Sequence, residues 1–290
     1  MAQKPGRFDP RQNMRRPDFE LQHKLDSHLN DVELHHHDFY ELYYLVSGDV
    51  TYVIESRLYK VLPGDVLLIS PLELHQVHIE PEHTDYERYV LWIHPQLIRT
   101  LLEDRKDLFQ PLDPAGPGHR NQLRLQPEDQ QRIHALMEQL YREDQSGLPG
   151  EALLSRSLLT QLLITVSRLS QQEVSRFEDI PGGSSTVSQV VEYINLHYRE
   201  DLSLDSLAER FFVSKYHLSH EFRRQMGTTV CRYLQKKRLL MARHYLSQGK
   251  RPSDVYTLCG FADYTVFYRA FKAEYGISPR EFSRSLTDPS

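Results

Sequence analysis

Between Glu33 and His94 the apolar positions come in short runs, or alternate with polar ones, and turn residues cut each run short. ELYYLV (41–46), VTYVIE (50–55), DVLLIS (65–70) and YVLWI (89–93) have the length and patterning of strands. Ser47-Gly48-Asp49, Pro63-Gly64-Asp65 and Pro71 separate them, and several short strands at this spacing predict a small barrel or sandwich. A Pro/Gly-rich stretch at 111–118 then ends the β pattern, and the period changes to that of a helix. Pro127 suits a first helical turn, and Ile133, Leu136, Met137, Leu140 and Tyr141 follow on one stripe. A second helix is predicted over 151–172. Its stripe of Leu154, Leu158, Leu162, Val166 and Leu169 is widened by Leu153, Leu159 and Leu163. The two helices form a hairpin whose surplus apolar face is expected to pair with a second copy in a homodimer; the alternative is packing on the chain's own barrel.

Residues 174–186, rich in Pro, Gly and Ser, read as a linker. Helices are predicted beyond it at 187–198, 204–211 (capped by Ser203), 214–226, 229–247, from Pro252, and at 263–275. The fold class is therefore α+β: a β domain over 1–120, a helical hairpin over 125–173, and an all-α domain over 187–290.

That last domain contains a repeat. SKYHLSHEFRRQMG from Ser214 returns forty-nine residues later as DYTVFYRAFKAEYG from Asp263. Ser214 matches Asp263, Leu218 matches Phe267, Phe222 matches Phe271, Arg223 matches Lys272 and Gly227 matches Gly276. Each copy starts with an N-cap residue, places large apolar side chains four and eight positions later on one face, and ends at a Gly suited to a left-handed cap. Helix, short connection and basic helix thus occur twice, joined by a long helix, which predicts two helix-turn-helix units.

Charge sharpens this picture. The net charge is −5, yet from Thr186 to Ser290 there are 16 Lys and Arg against 11 Asp and Glu, a net of +5, leaving −10 for the remainder. A segment that meets nucleic acid needs to be positive while the rest of the chain does not. Basic side chains that merely solvate helix surfaces are the alternative. The only cysteines, Cys231 and Cys259, give no disulfide framework or zinc spacing, which fits a reducing compartment. The polar start MAQKPGRFDPRQNMRR has no apolar segment after it, and no apolar run approaches membrane-spanning length, so a cytoplasmic location without membrane contact is expected.

Three stretches bring a family into view: LSLDSLAERFFVSKYHLSHEFRRQMG, YLQKKRLLMARHYL and GFADYTVFYRAFKAEYGISP. Over 187–282 the chain resembles the DNA-binding domain of AraC/XylS transcription regulators. Gly260-Phe261, Asp263, Phe267, Arg269, Phe271-Lys272, Gly276 and Ser278-Pro279 stand at the family's spacing. The resemblance implies that each recognition helix enters a major groove of double-stranded DNA and that the long helix sets their separation. That separation should be about one helical turn, roughly 34 Å. With Leu218 and Phe222 inward, Lys215, Tyr216, Ser219, His220 and Arg223 point out; with Phe267 and Phe271 inward, Tyr264, Thr265, Tyr268, Arg269 and Lys272 do. Arg269 is the leading candidate for bidentate bonding to guanine. His220 offers a donor to a base, and Tyr216 and Tyr264 offer apolar contact with thymine methyls. Arg223 and Lys272, nearer the helix ends, are assigned to phosphates. The sequence departs from the family at Pro252 and Tyr256, where Ile and Ala are usual, so a looser or tilted second unit is expected.

In the β domain, His35-x-His37-x3-Glu41-x6-Gly48 resembles the first motif of cupins, and PGDVLLISPLELH, ending at His75, resembles the second. Placed on one strand, His35, His37 and Glu41 would project to one side, with His75 opposite. Such a set can hydrogen-bond a small metabolite or hold a metal through N and O ligands. Glu73 and a shortened step depart from the metal-binding form, so an effector is expected ahead of a metal or of merely structural histidines, and no cofactor is assigned. Tyr86, Arg88, Val90 and Trp92 alternate onto one face; Arg88 is a candidate anion clamp, and Trp92 either stacks on a sugar ring or belongs to the core. The expected function is a ligand-responsive transcription regulator, with RNA polymerase as a partner if it activates. A sugar effector is suggested by analogy with similar proteins. The competing reading is a metal-dependent cupin enzyme fused to a DNA-binding tail. No Ser/His/Asp set, phosphate-binding loop or dinucleotide fingerprint adds to the enzymatic case.

Overall fold

The computed structural model describes residues 12–26, 32–79, 85–101, 108, 110–114, 119–174 and 185–287. Most of the expected linker (175–184) and part of the Pro/Gly stretch (115–118) lie outside the described residues. The chain folds as two compact units, one carrying the strands and the helical hairpin, the other the helices from Thr186 on.

Among the described residues nine strands build the first unit: β1 (Phe19–Asp26), β2 (Val32–His35), β3 (Tyr40–Ser47), β4 (Val50–Ile54), β5 (Arg57–Val61), β6 (Val66–Ile69), β7 (His75–Ile79), β8 (Tyr86–Ile93) and β9 (Gln122–Leu123). They form a five-stranded sheet in the order β1-β8-β3-β6-β9 and a four-stranded sheet in the order β2-β7-β4-β5. Register decides which face each residue serves. Glu41 lies opposite Trp92 and Tyr43 opposite Val90, while on the other side of β8 Lys24 lies opposite Arg88. Alternation then sends Tyr43, Leu45, Val90 and Trp92 inward, where they meet Tyr52, Ile54 and Val77 of the second sheet.

Leu42, Tyr44, Tyr89, Leu91 and Ile93 face the other way and pack against the hairpin of α2 (Pro127–Asp144) and α3 (Glu151–Val174); α1 (Pro95–Leu101) precedes it. Leu158, Leu159, Leu162, Leu163 and Val166 are all buried in this core. Full burial of one such side chain contributes about 1.5–3 kcal/mol. Leu159 and Leu163, counted in the sequence as surplus, therefore hold the hairpin to its own sheet. Only Leu153 and Leu154, at the start of α3, stay exposed from the widened stripe.

Among the described residues seven helices make the second unit: α4 (Thr186–His197), α5 (Leu204–Arg210), α6 (Lys215–Met226), α7 (Val230–Ser247), α8 (Pro252–Leu258), α9 (Tyr264–Tyr275) and α10 (Pro279–Thr287). The caps are those the repeat predicts. Ser214 accepts from the His217 N–H at 3.1 Å, Asp263 accepts from the N–H groups of Thr265 (2.7 Å) and Val266 (3.1 Å), and Gly227 and Gly276 close α6 and α9 in the left-handed region. Leu218 and Phe222 bury one face of α6, and Phe267 and Phe271 one face of α9. Tyr256 is accommodated edge-on to Tyr264, ring centroids 5.8 Å apart, and Phe267 and Phe271 remain fully buried beside it.

The two helix-turn-helix turns share one backbone solution but fill it differently. Each has a left-handed residue after the first helix: Phe212 (φ 54°) and Gly260 (φ 79°). The next N–H reaches back in the same way, Val213 to the Ala208 carbonyl and Phe261 to the Tyr256 carbonyl. A left-handed non-glycine residue costs about 1–2 kcal/mol, and Phe212, 95% exposed, gains almost no burial in return. Replacing Phe212 by Gly should therefore leave the melting temperature unchanged or slightly raised. A clear fall would mean that the ring makes stabilising contacts.

Candidate DNA-reading face and effector site

On α6, Lys215, Tyr216, Ser219, His220 and Arg223 are all exposed, as the inward positions of Leu218 and Phe222 require. Tyr216 is the extreme case at 81%. Lys215 pairs with Asp205 at 2.8 Å, and the His220 ring lies 3.4 Å from the Glu221 carboxylate. On α9, Thr265, Arg269 and Lys272 are exposed. Tyr264 and Tyr268 are more sheltered, because Tyr264 packs against Tyr256, Phe267 and Tyr268. Tyr264 thus presents less of its ring than the sequence reading implied. Arg269, one helical turn beyond Thr265, keeps its guanidinium free of ion pairs to other side chains among the described residues. Both faces bring a basic group and hydroxyl or aromatic groups to the surface of a rigid helix, the chemistry that reads base edges and phosphates.

In the barrel, the expected strand carrying His35, His37 and Glu41 is not formed. His35 ends β2 of one sheet, His37 lies in the connection, and Glu41 lies on β3 of the other sheet. The chain crosses between sheets there, so period-two projection does not relate these residues. Convergence arises by another route. His37, Glu41 and His75 are buried, and one donor atom from each lies within 4.8 Å of the others; His35 is outside that group.

Each member is oriented. His37 Nδ1 bonds the Phe39 carbonyl at 2.8 Å, and its ring stacks on Phe39 at 4.1 Å. His75 Nδ1 bonds the Glu73 carbonyl at 3.0 Å. Trp92 Nε1–H donates to Glu41 Oε2 at 2.9 Å, and the His37 ring nitrogen is 3.4 Å from the same oxygen. Burial alone would raise the Glu41 carboxyl, but the hydrogen bond and charge of His37, the charge of His75 and the Trp92 donor outweigh it and hold the pKa at about 2. Burial, followed by the charge of His37, pushes His75 down to about 4.

A second polar group lies on the same inner face. Arg88 bonds Asp26 at 2.7 Å and stacks over Tyr86 at 3.9 Å, so the candidate anion clamp is already engaged. Lys24 lies opposite it, 5.9 Å from the centre of the Trp92 ring; burial, then Arg88, lowers its pKa. The hydroxyl of Tyr43 donates to that of Tyr86 at 3.0 Å. Trp92 is at once core, against Phe39 at 4.7 Å, and hydrogen-bond donor to Glu41.

Comparison with known proteins shows the family to which the chain belongs. Residues 19–163 match the AraC-like ligand binding domain, and residues 207–285 match a helix-turn-helix domain. The chain is 30% identical over 255 residues to the HTH-type transcriptional activator RhaS of Escherichia coli O139:H28, covering 87% of each chain. It belongs to the AraC family of transcription regulators. Solved structures with a lower degree of likeness include unsaturated fatty acid-bound ToxT from Vibrio cholerae, at 13% identity and a TM-score of 0.40, covering 95% of this chain and 98% of that one. The C-terminal domain of AraT from Geobacillus stearothermophilus is 30% identical, with a TM-score of 0.34, covering 35% and 86%.

For this AraC-family regulator, two features escaped the sequence reading. Val266 is 57% exposed on α9 between Thr265 and Arg269, an apolar side chain on a face assigned from polar residues alone. Lys24 joins the barrel interior because FELQHKLD forms β1, whose alternation of Phe19, Leu21 and Leu25 is interrupted by His23. The apolar alternation was there to be seen, but its pairing with β8 was not.

Proposed function

We propose that this AraC-family protein is a transcription activator whose barrel binds a small polyhydroxylated metabolite, a sugar in the first instance, and whose α6 and α9 read operator DNA in the cytoplasm. The observation that carries the reading is the buried set of Glu41, His37 and His75 beside Trp92, within a barrel that shares its chain with two exposed basic helices. A carboxylate acceptor and two imidazoles suit hydroxyl groups, and an aromatic face suits a sugar ring. The similarity to RhaS, a transcriptional activator by name, favours activation and so RNA polymerase as a partner. Leu153 and Leu154, exposed at the start of α3, are the surface proposed for a homodimer. Among the described residues no helix is long and apolar enough to cross a membrane.

The test is a melting-temperature screen of the whole protein against neutral sugars, sugar acids and other metabolites. A sugar that raises the melting temperature of the wild type, loses that effect in Trp92→Leu, and changes operator binding is the expected result. If a carboxylate lacking hydroxyl groups is the only effective class, the assignment to a sugar fails. A truncated protein beginning at residue 174 should bind the same operator without responding to the effector.

A further inference from the structure

We infer that the ring of Phe212, in the turn between α5 and α6, lies against the apolar edge of double-stranded DNA at the rim of the groove that α6 enters. The inference rests on the proposed reading of α6 as a DNA-reading helix and extends it to a residue outside that helix. An exposed apolar side chain alone would need no explanation. Phe212 combines exposure with backbone strain. It is the most exposed large apolar side chain among the described residues, at 95%, and its φ of 54° lies in the left-handed region that disfavours any side chain.

The turn holds this ring out. The N–H groups of Phe211, Phe212 and Val213 donate to the carbonyls of Leu207, Glu209 and Ala208 at 3.0, 3.2 and 3.0 Å, so the backbone is fixed at three consecutive residues. The adjacent ring takes the opposite course: Phe211 is half-buried and lies edge-on to Tyr193 of α4, centroids 5.9 Å apart. A conformation that costs folding stability and gains no burial is repaid only when the ring is covered. The second turn has no such probe. Gly260 fills the matching slot, and a Cβ there would meet the Arg199 carbonyl oxygen at 2.7 Å. The two turns share a backbone, but only the first is open enough to carry an aromatic ring.

Position names the cover. Phe212 precedes the N-cap Ser214 by two residues, and Lys215 and Tyr216, the first residues of α6, are exposed beyond it. Lys215 is tied to Asp205 of α5 at 2.8 Å, which holds the start of α6 to the helix before the turn. The N-terminal residues of a reading helix lie closest to the bases, which brings the preceding turn to the wall of the groove. A ring without charge or hydrogen-bonding group has nothing to offer a phosphate. What it can cover there is deoxyribose carbon or a thymine 5-methyl group, the apolar parts of the groove edge. With Tyr216 exposed as well, both sides of the N-cap present an aromatic ring.

Duplexes selected by the full-length wild type from a randomised pool provide the probe, with an unrelated duplex as control. Phe212→Gly and Phe212→Asn both suit a left-handed residue; each is expected to melt no lower than wild type, yet to bind the selected duplex about five- to thirtyfold more weakly. Phe212→Tyr keeps the ring and should bind within about twofold of wild type. A contact that neutralises no phosphate leaves the salt dependence alone, so plots of log Kd against log salt should run parallel to wild type. Deoxyuridine in place of each thymine in turn locates the contact. A position that weakens wild type but not Phe212→Gly identifies a thymine methyl, and its absence identifies deoxyribose. Unchanged affinity in both variants would overturn the inference; if transcription activation is lost at the same time, the ring meets a protein partner instead. Weaker binding by Phe212→Gly alone would count against it as an effect of added backbone freedom, and a clear fall in melting temperature in both variants would show that the ring holds the turn. Tyr216→Ala, Ser219→Ala and His220→Ala combined keep the two ideas apart. If this variant binds like wild type, α6 does not read DNA; if it binds weakly while the Phe212 variants bind normally, the inference about Phe212 fails alone.

Discussion

Replacing Gly260 by Ala should cost the DNA-binding unit about 2–5 kcal/mol and abolish specific operator binding. The residue sits at φ 79°, where an L side chain adds about 1–2 kcal/mol of strain. A Cβ built there would lie 2.7 Å from the Arg199 carbonyl oxygen and 2.9 Å from its Cα, both backbone atoms that a rotamer change does not move. Relief requires shifting the turn before α9 or the end of α4, and such overpacking adds about 1–3 kcal/mol. Stabilities of single domains are about 5–15 kcal/mol, so the loss is a large share of the total. Thermal unfolding and operator titration of the variant check it. The same left-handed slot in the first turn holds Phe212 almost fully exposed, so a side chain fits there sterically and only the backbone strain remains. An Ala variant at Gly260 that melts like wild type and binds as well would show that the turn can move freely, contrary to the close approach of Arg199.

How far the sequence could be read depended on the range of the interactions involved. The strands β3, β4, β6 and β8 and the helices α2 to α9 were legible, because their apolar periods and their caps, such as Ser203, Ser214 and Asp263, are local. The repeat placed Leu218, Phe222, Phe267 and Phe271 inward, and burial agrees at all four. What depended on which strand pairs with which was not legible. β1 becomes a strand by laying its length along β8. The helices α1 (Pro95–Leu101) and α10 (Pro279–Thr287) were not predicted. The barrel site shows the difference most directly. His37, Glu41 and His75 were chosen from a motif, but the single-strand geometry assumed for the first two fails where the chain crosses between sheets after His35. Their convergence is a product of tertiary structure, as is the hydrogen bond from Trp92, fifty-one residues away.

The other large effect concerns base reading. Arg269→Ala should weaken binding to the cognate operator by about 1–3 kcal/mol, roughly 5- to 150-fold in Kd, and relax preference at one base pair. The exposed cations of the two reading helices differ in what they would give up on binding. Lys215 is paired with Asp205 and Arg224 with Glu221, and each would exchange an exposed ion pair, worth about 0–1 kcal/mol, for a contact with DNA. Arg269 has no such pair among the described residues, and it projects from the middle of α9, where the capped and glycine-closed ends hold the helix rigid. Its planar fork can meet the O6 and N7 of one guanine, which lysine cannot match, so Arg269→Lys should recover affinity in part and specificity scarcely at all. Lys272→Ala, assigned to a phosphate, supplies the contrast: weaker binding to every sequence alike and a salt dependence shallower by about one unit of slope. Competition binding against single-base operator variants at two salt concentrations distinguishes the two behaviours. Equal losses on all sequences for Arg269→Ala would reassign that residue to the backbone of the DNA.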